Sequence, residues 1–266
     1  MLALNSVITN IIQVSPNMKI FSVKPVDWEL PNYTSGQFVA LALPPEASRC
    51  AEATMEPFPT KPDKLIKRAY SIASSSTADH IEFYISLVHS GSLTPRLFSL
   101  QIGDKIWMSK KATGMFTLSE VPEDQNIVLI ATGTGVAPYI SMLRANALKR
   151  NGKIIVIHGA SNSWDLGYSS ELKLLASMFD NFFYYPTITD PEKEAAGWSG
   201  DTRFIQDIWE DSVVEKKLNF IPTPKNTHIF LCGNPNMVNG MITHLEENGF
   251  VEHSRRQQGQ IHVEKF

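Results

Sequence analysis

The residues best suited to hold an anionic ligand are Thr132-Gly133-Thr134-Gly135-Val136-Ala137-Pro138. They follow the apolar run Ile127-Val128-Leu129-Ile130 and open a helical pattern. Glycines let a backbone approach a pyrophosphate, and the free N–H groups and dipole of a following helix favour negative charge. Read alone, the same residues form a tight turn with no ligand. They also differ from the GxGxxG fingerprint of the six-stranded dinucleotide fold.

Four further stretches carry chemistry. Arg68-Ala69-Tyr70-Ser71 reads as a strand, with Arg68 and Tyr70 on one face and Ala69 and Ser71 on the other. An arginine beside an aromatic can pair a phosphate and stack a flat ring. An edge strand with a surface arginine and a core tyrosine would look the same. Gly91-Ser92-Leu93-Thr94 is a turn into a helix, able to bind an anion or to cap that helix with a hydroxyl. Cys232-Gly233-Asn234-Pro235 follows an apolar strand, where open α/β sheets place ligands. A small cysteine there leaves room for a planar ring, whereas buried free cysteine is commonly inert. His262-Val263-Glu264-Lys265-Phe266 is an alternating strand ending on an aromatic.

Two sets of elements must position these residues. Residues 7–14, 19–25, 37–43, 67–73, 81–88 and 105–109 read as strands of a small barrel or sandwich. A helix is expected at 92–100, with Pro95 in its first turn. The segment 44–65 holds Pro44, Pro45, Pro57, Pro59 and Pro62 and is long for a loop. After Pro122 the pattern changes. Strands at 126–131, 153–158, 182–187 and 227–231 alternate with helices reaching 148, at 170–179, at 202–209 and at 235–247. That alternation argues for a parallel sheet with helices on both faces. The expected division is a β-barrel domain over 1–120 and an α/β domain over 121–266.

Composition narrows the functional classes. The 266 residues are 43% hydrophobic and 19% charged, enough for a sizeable core. A net charge of −3 gives no basic excess for nucleic acid. No run approaches ~18 apolar residues, so no membrane span is expected. Two cysteines, Cys50 and Cys232, form no CxxC, which argues against a metal or iron–sulfur site and fits a reducing cytoplasm.

Taken in order, the five motifs resemble those of the ferredoxin–NADP reductase family, in its bacterial type, over nearly the whole chain. The resemblance implies an N-terminal antiparallel β-barrel that binds FAD and a C-terminal parallel-sheet α/β domain that binds NADPH or NADH. It implies that Arg68 pairs with the FAD pyrophosphate, Tyr70 stacks on the isoalloxazine and Ser71 bonds near its N5. Ala69, Tyr84, Ile85 and Ser86 would line the flavin and adenosine. Ser92, Leu93 and Thr94 would cap the pyrophosphate. Gly133, Thr134, Gly135 and Pro138 would cradle the dinucleotide phosphates. Cys232, with Gly233, Asn234 and Pro235, would sit by nicotinamide C4. Phe266 would cover the other flavin face, and Glu264 would help Ser71 pass protons.

The implied activity is electron exchange between a nicotinamide dinucleotide and a one-electron carrier, ferredoxin or flavodoxin. Flavin makes this possible because it takes a hydride and releases single electrons. Two alternatives share the scaffold: a reductase of free flavin or of an oxygenase, and an electron-transfer subunit of a larger complex. A nucleotide-sensing module without FAD is a third. The carriers are acidic, and Lys61, Lys64, Lys67 and Arg68, with Arg255 and Arg256, could dock them transiently. At the adenosine end the chain departs from the family. Where NADP-specific members place basic residues, it has Ser161, Thr189-Asp190 and Gly200-Asp201, with Arg203 alone nearby. NADH is therefore expected to serve at least as well as NADPH.

Overall fold

The computed structural model describes residues 3–58, 61, 64–145 and 147–265. The chain forms two compact units. One comprises Met1–Thr117 with Ala137–Ala145, the other Leu118–Val136 with Asn146–Phe266.

The first unit contains strands β1 (Ser6–Ser15), β2 (Met18–Pro25), β3 (Phe38–Leu43), β4 (Ile66–Ser71), β5 (Ile81–Ser86) and β6 (Lys105–Met108). They lie in the order β4-β3-β6-β1-β2-β5, and every pair is antiparallel. The two edges meet just past β4. Ala73 N–H donates to the Glu82 carbonyl at 2.8 Å, and Ser74 Oγ accepts from Glu82 N–H at 3.1 Å. Closure of this kind removes exposed strand edges. Ile8, Phe21, Val23, Leu41, Ile72, Ile81 and Phe83 fill the interior. Exposure along β4 does not alternate as expected. Lys67, Arg68 and Ala69 are all exposed, while Tyr70 and Ser71 are half-buried.

The helix expected at 92–100 is shorter, α1 at Thr94–Phe98. No side chain caps it, because Thr94 Oγ1 instead accepts from Val88 N–H at 2.9 Å. Ser99 Oγ lies 2.9 Å from the Arg96 carbonyl and 2.6 Å from the Ser48 carbonyl, sharing its one proton between them where the helix ends.

The proline-rich segment, up to residue 58, is strapped to α1. Cys50 N–H donates to the Pro95 carbonyl at 2.9 Å, and Thr54 N–H to the His89 carbonyl at 2.9 Å. Buried Arg96 donates to the Pro45 carbonyl through Nε at 3.1 Å and Nη2 at 2.6 Å, and to the Ser92 carbonyl through Nη1 at 2.5 Å. Its ion pair is with Glu56, also nearly buried. Arg49 Nε lies 3.4 Å from the same carboxylate.

The second unit carries β7 (Asn126–Thr132), β8 (Ile154–Ala160), β9 (Phe182–Ile188), β10 (Thr227–Gly233) and β11 (Ile261–Lys265) in the order β11-β10-β7-β8-β9. All are parallel. β7, β8 and β10 are near-continuous apolar runs, as strands covered on both faces must be. Between Gly133 and Ala145 the chain forms a 3-10 turn, Gly133–Val136, and α2 (Ala137–Ala145). The helical pattern to 148 breaks there, with 147–149 forming a 3-10 turn.

The remaining helices are α3 (Ser169–Met178), α4 (Ile205–Glu210), α5 (Val213–Leu218) and α6 (Pro235–Glu247). The helix expected at 202–209 starts late because Asp201 forms a parallel bridge with Thr187. α5 was not foreseen. It is six residues bracketed by Ser212 and Asn219, both left-handed, and its signal is only the buried pair Val214 and Leu218. Among the described residues no helix is long and apolar enough to cross a membrane.

Replacing Glu56 by Ala leaves the Arg96 guanidinium buried without its counter-charge. A loss of about 3 kcal/mol of unfolding free energy is expected in chemical denaturation. Glu56→Ala with Arg96→Met should recover part of it.

Candidate functional site

In the second unit the strand order reverses between β7 and β10, so the turns after these strands flank a crevice where open sheets bind ligands. The two turns touch backbone to backbone. A Cβ on Gly135 would lie 2.3 Å from the Cys232 carbonyl oxygen. A Cβ on Gly233, whose φ is +128°, would lie 2.3 Å from Thr132 Oγ1. Glycine is therefore required at both places. Thr132 Oγ1 accepts from Asn234 N–H at 2.8 Å, tying the end of β7 to the turn after β10. Asn234 Oδ1 accepts from Asn236 N–H at 2.8 Å and caps α6, with Pro235 in the first turn. Gly133 takes a left-handed φ of +52° and Thr134 is half-buried beside it. Pro138, in α2, is buried.

Register places Cys232 opposite Glu264 on β11. The Cys232 thiol is fully buried and donates to Glu264 Oε2 at 3.8 Å. Burial, reinforced by the neighbouring carboxylate, pushes this thiol well above its usual range. It stays protonated, so it offers shape and a weak donor and no nucleophile. Only the parallel register pairs Cys232 with Glu264. Phe266 lies outside the described residues.

In the first unit, Arg68 is exposed and donates through Nη1 to the Lys67 carbonyl at 2.7 Å. No acidic side chain pairs with it among the described residues, so its fork remains available to an anion. The Tyr70 ring meets Phe83 edge-on, centroids 6.5 Å apart, and burial raises its hydroxyl pKa. Ser71 faces Phe38 across the β3–β4 ladder. Tyr84 is buried with its hydroxyl on Met18 Sδ at 2.9 Å, Ile85 lies in the core and Ser86 is half-buried. Ile85 can thus offer a ligand only backbone. Ser92 and Thr94 are half-buried and Leu93 is buried.

The expected adenosine-end residues do come together, at the carboxyl ends of β8 and β9. Asp190 N–H donates to the Ser161 carbonyl at 2.9 Å, and Thr189 N–H to the Ala160 carbonyl at 3.1 Å. Thr187 Oγ1 donates to the Arg203 carbonyl at 2.7 Å.

Residues 129–242 match the model of a family described as the oxidoreductase NAD-binding domain. A flavodoxin/ferredoxin–NADP reductase of Buchnera aphidicola (Baizongia pistaciae) is 33% identical, over 88% of each chain. That of Escherichia coli is 30% identical, over 77% of this chain and 76% of its own. The crystal structure of a ferredoxin NADP+ reductase from Neisseria gonorrhoeae, with bound FAD and NADP, superposes with a TM-score of 0.82. It is 26% identical, covering 98% of this chain and 97% of that one.

The chain belongs to the ferredoxin–NADP reductase family. The sequence motifs did not include His158. It is fully buried at the end of β8, and its Nε2 lies 2.9 Å from the Gly133 carbonyl. Tyr184 Oη is 3.4 Å from its Nδ1. Burial lowers its pKa to about 4. The neutral ring can then donate from Nε2 to Gly133 and accept from Tyr184 at Nδ1. A histidine in an otherwise apolar strand, 25 residues beyond the glycine turn, was the available signal.

This depressed pKa has a pH consequence. Below the ordinary value of 6.5 the unfolded chain binds a proton that folded His158 refuses, so stability falls as pH drops from about 6.5 to about 4. The expected loss reaches about 3 kcal/mol at pH 4. His262, lowered to about 3, acts in the same direction. Urea melts at stepped pH should show the decline, and His158→Asn should make it shallower.

Proposed function

We propose that this protein is an FAD-dependent oxidoreductase that exchanges electrons between NAD(P)H and ferredoxin or flavodoxin. The observation that carries this reading is the pair of glycine turns at the β7/β10 crevice, whose backbones approach too closely for any side chain. Turns of this kind, after the strands of an open sheet, are where a dinucleotide diphosphate binds. The relatives' shared activity supports it. We assign FAD to residues 1–120 and the nicotinamide dinucleotide to residues 121–266.

The residues present fit noncovalent FAD. Arg68 is an exposed guanidinium without a carboxylate partner among the described residues, suited to bidentate pairing with a phosphate. Tyr70 and Ser71 stand beside it on β4 at intermediate exposure. When bound, flavin supplies the step from a two-electron hydride to single electrons. One NAD(P)H then reduces two one-electron carriers and releases one proton. This chain's residues hold and orient. Ser71 would offer its hydroxyl to a bound flavin, and the buried Cys232 thiol would leave room for a nicotinamide ring. Glu264 accepts from Cys232 and holds a proton acceptor near the crevice.

We place carrier docking on Lys64 and Lys67, which are exposed together. Lys67 Nζ lies 4.1 Å from the Trp107 ring centroid, which restrains it. Docking by such exposed charges is transient and screened by salt. The two free cysteines fit a reducing compartment.

The purified protein should be yellow and release FAD on denaturation. Release of FMN, or a colourless protein that FAD cannot reconstitute, would refute the assignment. Arg68→Ala should weaken FAD binding roughly tenfold or more, read by fluorescence of released flavin. Carrier reduction should fall as ionic strength rises, and Lys64→Glu should raise the carrier KM more than it lowers kcat.

A further inference from the structure

A dinucleotide on an open parallel sheet lays its diphosphate at the first βα turn and its adenosine ribose beyond the following strands. In this chain those are the ends of β8 and β9. Three segments are joined there: 160–163, 187–194 and 201–203. Ile188 N–H donates to the Asp201 carbonyl at 3.1 Å, and Asn162 Nδ2 to the Asp190 carbonyl at 3.1 Å. Glu194 turns its carboxylate onto Ser163, accepting from N–H at 2.7 Å and from Oγ at 2.6 Å.

Both cations of these segments are already engaged. Lys193 Nζ pairs with Asp190 at 2.8 Å. Arg203 Nε donates to Asp201 Oδ1 at 2.9 Å and Oδ2 at 3.1 Å, and its Nη2 also bonds Asp201. Its Nη1 bonds Asp211. The guanidinium thus spends its fork on two carboxylates. Asp201 cannot swing aside readily. Its side chain is 8% exposed, Tyr185 Oη donates to its Oδ2 at 2.6 Å, and Trp198 Nε1 donates to its carbonyl at 2.8 Å.

We propose that this enzyme takes NADH in preference to NADPH, and that Asp201 and Asp211 set this preference by keeping Arg203 from a 2′-phosphate. The proposal rests on the electron-transfer reading above and names its donor. A 2′-phosphate carries close to two negative charges and needs a bidentate arginine. Recruiting Arg203 would break its bonds to two carboxylates and leave three anions sharing one cation. A ribose 2′-hydroxyl is neutral and can donate to a carboxylate, and Asp190 stands at the end of β9 to accept it.

The test separates ribose recognition from hydride transfer. AMP and 2′-phospho-AMP are titrated calorimetrically into the flavin-loaded protein, and kcat/KM is measured with NADH and NADPH. AMP should bind at least as tightly as 2′-phospho-AMP, and NADH should be at least as efficient as NADPH. Asp211 is 62% exposed, so Asp211→Asn should fold. It should raise 2′-phospho-AMP affinity roughly fivefold relative to AMP by loosening Arg203. Arg203→Ala added to Asp211→Asn should cancel that gain.

Tighter binding of 2′-phospho-AMP by the unaltered protein would overturn the proposal, as would a higher kcat/KM with NADPH than with NADH. Lys217, whose Nζ is 5.8 Å from the Tyr185 ring centroid, would then be the cation to examine. An unmoved AMP ratio in Asp211→Asn also overturns it, and so does binding of neither probe. Failure of both donors to reduce the flavin would instead refute the electron-transfer reading, leaving the nucleotide titration to stand by itself.

Discussion

The site in the second unit depends on one steric constraint: the backbone of Gly135 lies against the carbonyl of Cys232. A methyl group at residue 135 would sit 2.3 Å from that oxygen. Real Cβ atoms do not approach so closely, and the obstacle is backbone, which cannot rotate away. The contact sets the spacing of the turns after β7 and β10, and hence the width of the crevice between them. The Thr132–Asn234 bond at 2.8 Å and the His158–Gly133 contact at 2.9 Å hold the same turns from either side. A binding crevice held by backbone contacts loses little conformational entropy when a ligand arrives.

Two ionisable groups at this crevice, His158 and Cys232, are kept neutral by burial. His158 is shifted to about 4 and Cys232 well above its usual range, each mainly because no water reaches it. Both remain uncharged near neutral pH. That suits hydride transfer, in which the protein sets distance and orientation and no covalent bond to the chain is needed. Other charged groups stand elsewhere. Arg68 is exposed on β4, and Asp190, Asp201 and Arg203 gather at the ends of β8 and β9.

Much of the fold was legible in the sequence because local turn chemistry bounds its strands. Runs between Pro, Gly, Asn and Ser in the first unit and apolar runs in the second marked ten strands to within one or two residues. α6 was read to its exact ends, since Asn234 and Pro235 form a cap and first turn that local chemistry specifies. Short helices were not legible. α1 loses its expected ends to bonds from Thr94 and Ser99, and α5 rests on two buried residues between left-handed positions. The glycine turns could be read as a site because the reasons for glycine are local. The Cys232–Glu264 and His158–Gly133 contacts could not, because register and a bond across 25 residues create them.

The proline-rich strap and the Arg203 cluster show the same limit in electrostatics. Charges can be counted from a sequence, but their effect depends on which of them are paired. Arg96, in α1, is buried and binds Glu56 from 40 residues away. Arg203 reads as the cation that could compensate for Asp190 and Asp201. Its guanidinium instead closes on Asp201, two residues before it, and on Asp211, eight residues after it. An arginine so paired contributes no net positive field to a phosphate. A site with an arginine in its sequence can therefore still repel a dianion, and the deciding quantity is the geometry of the pair rather than the residue count.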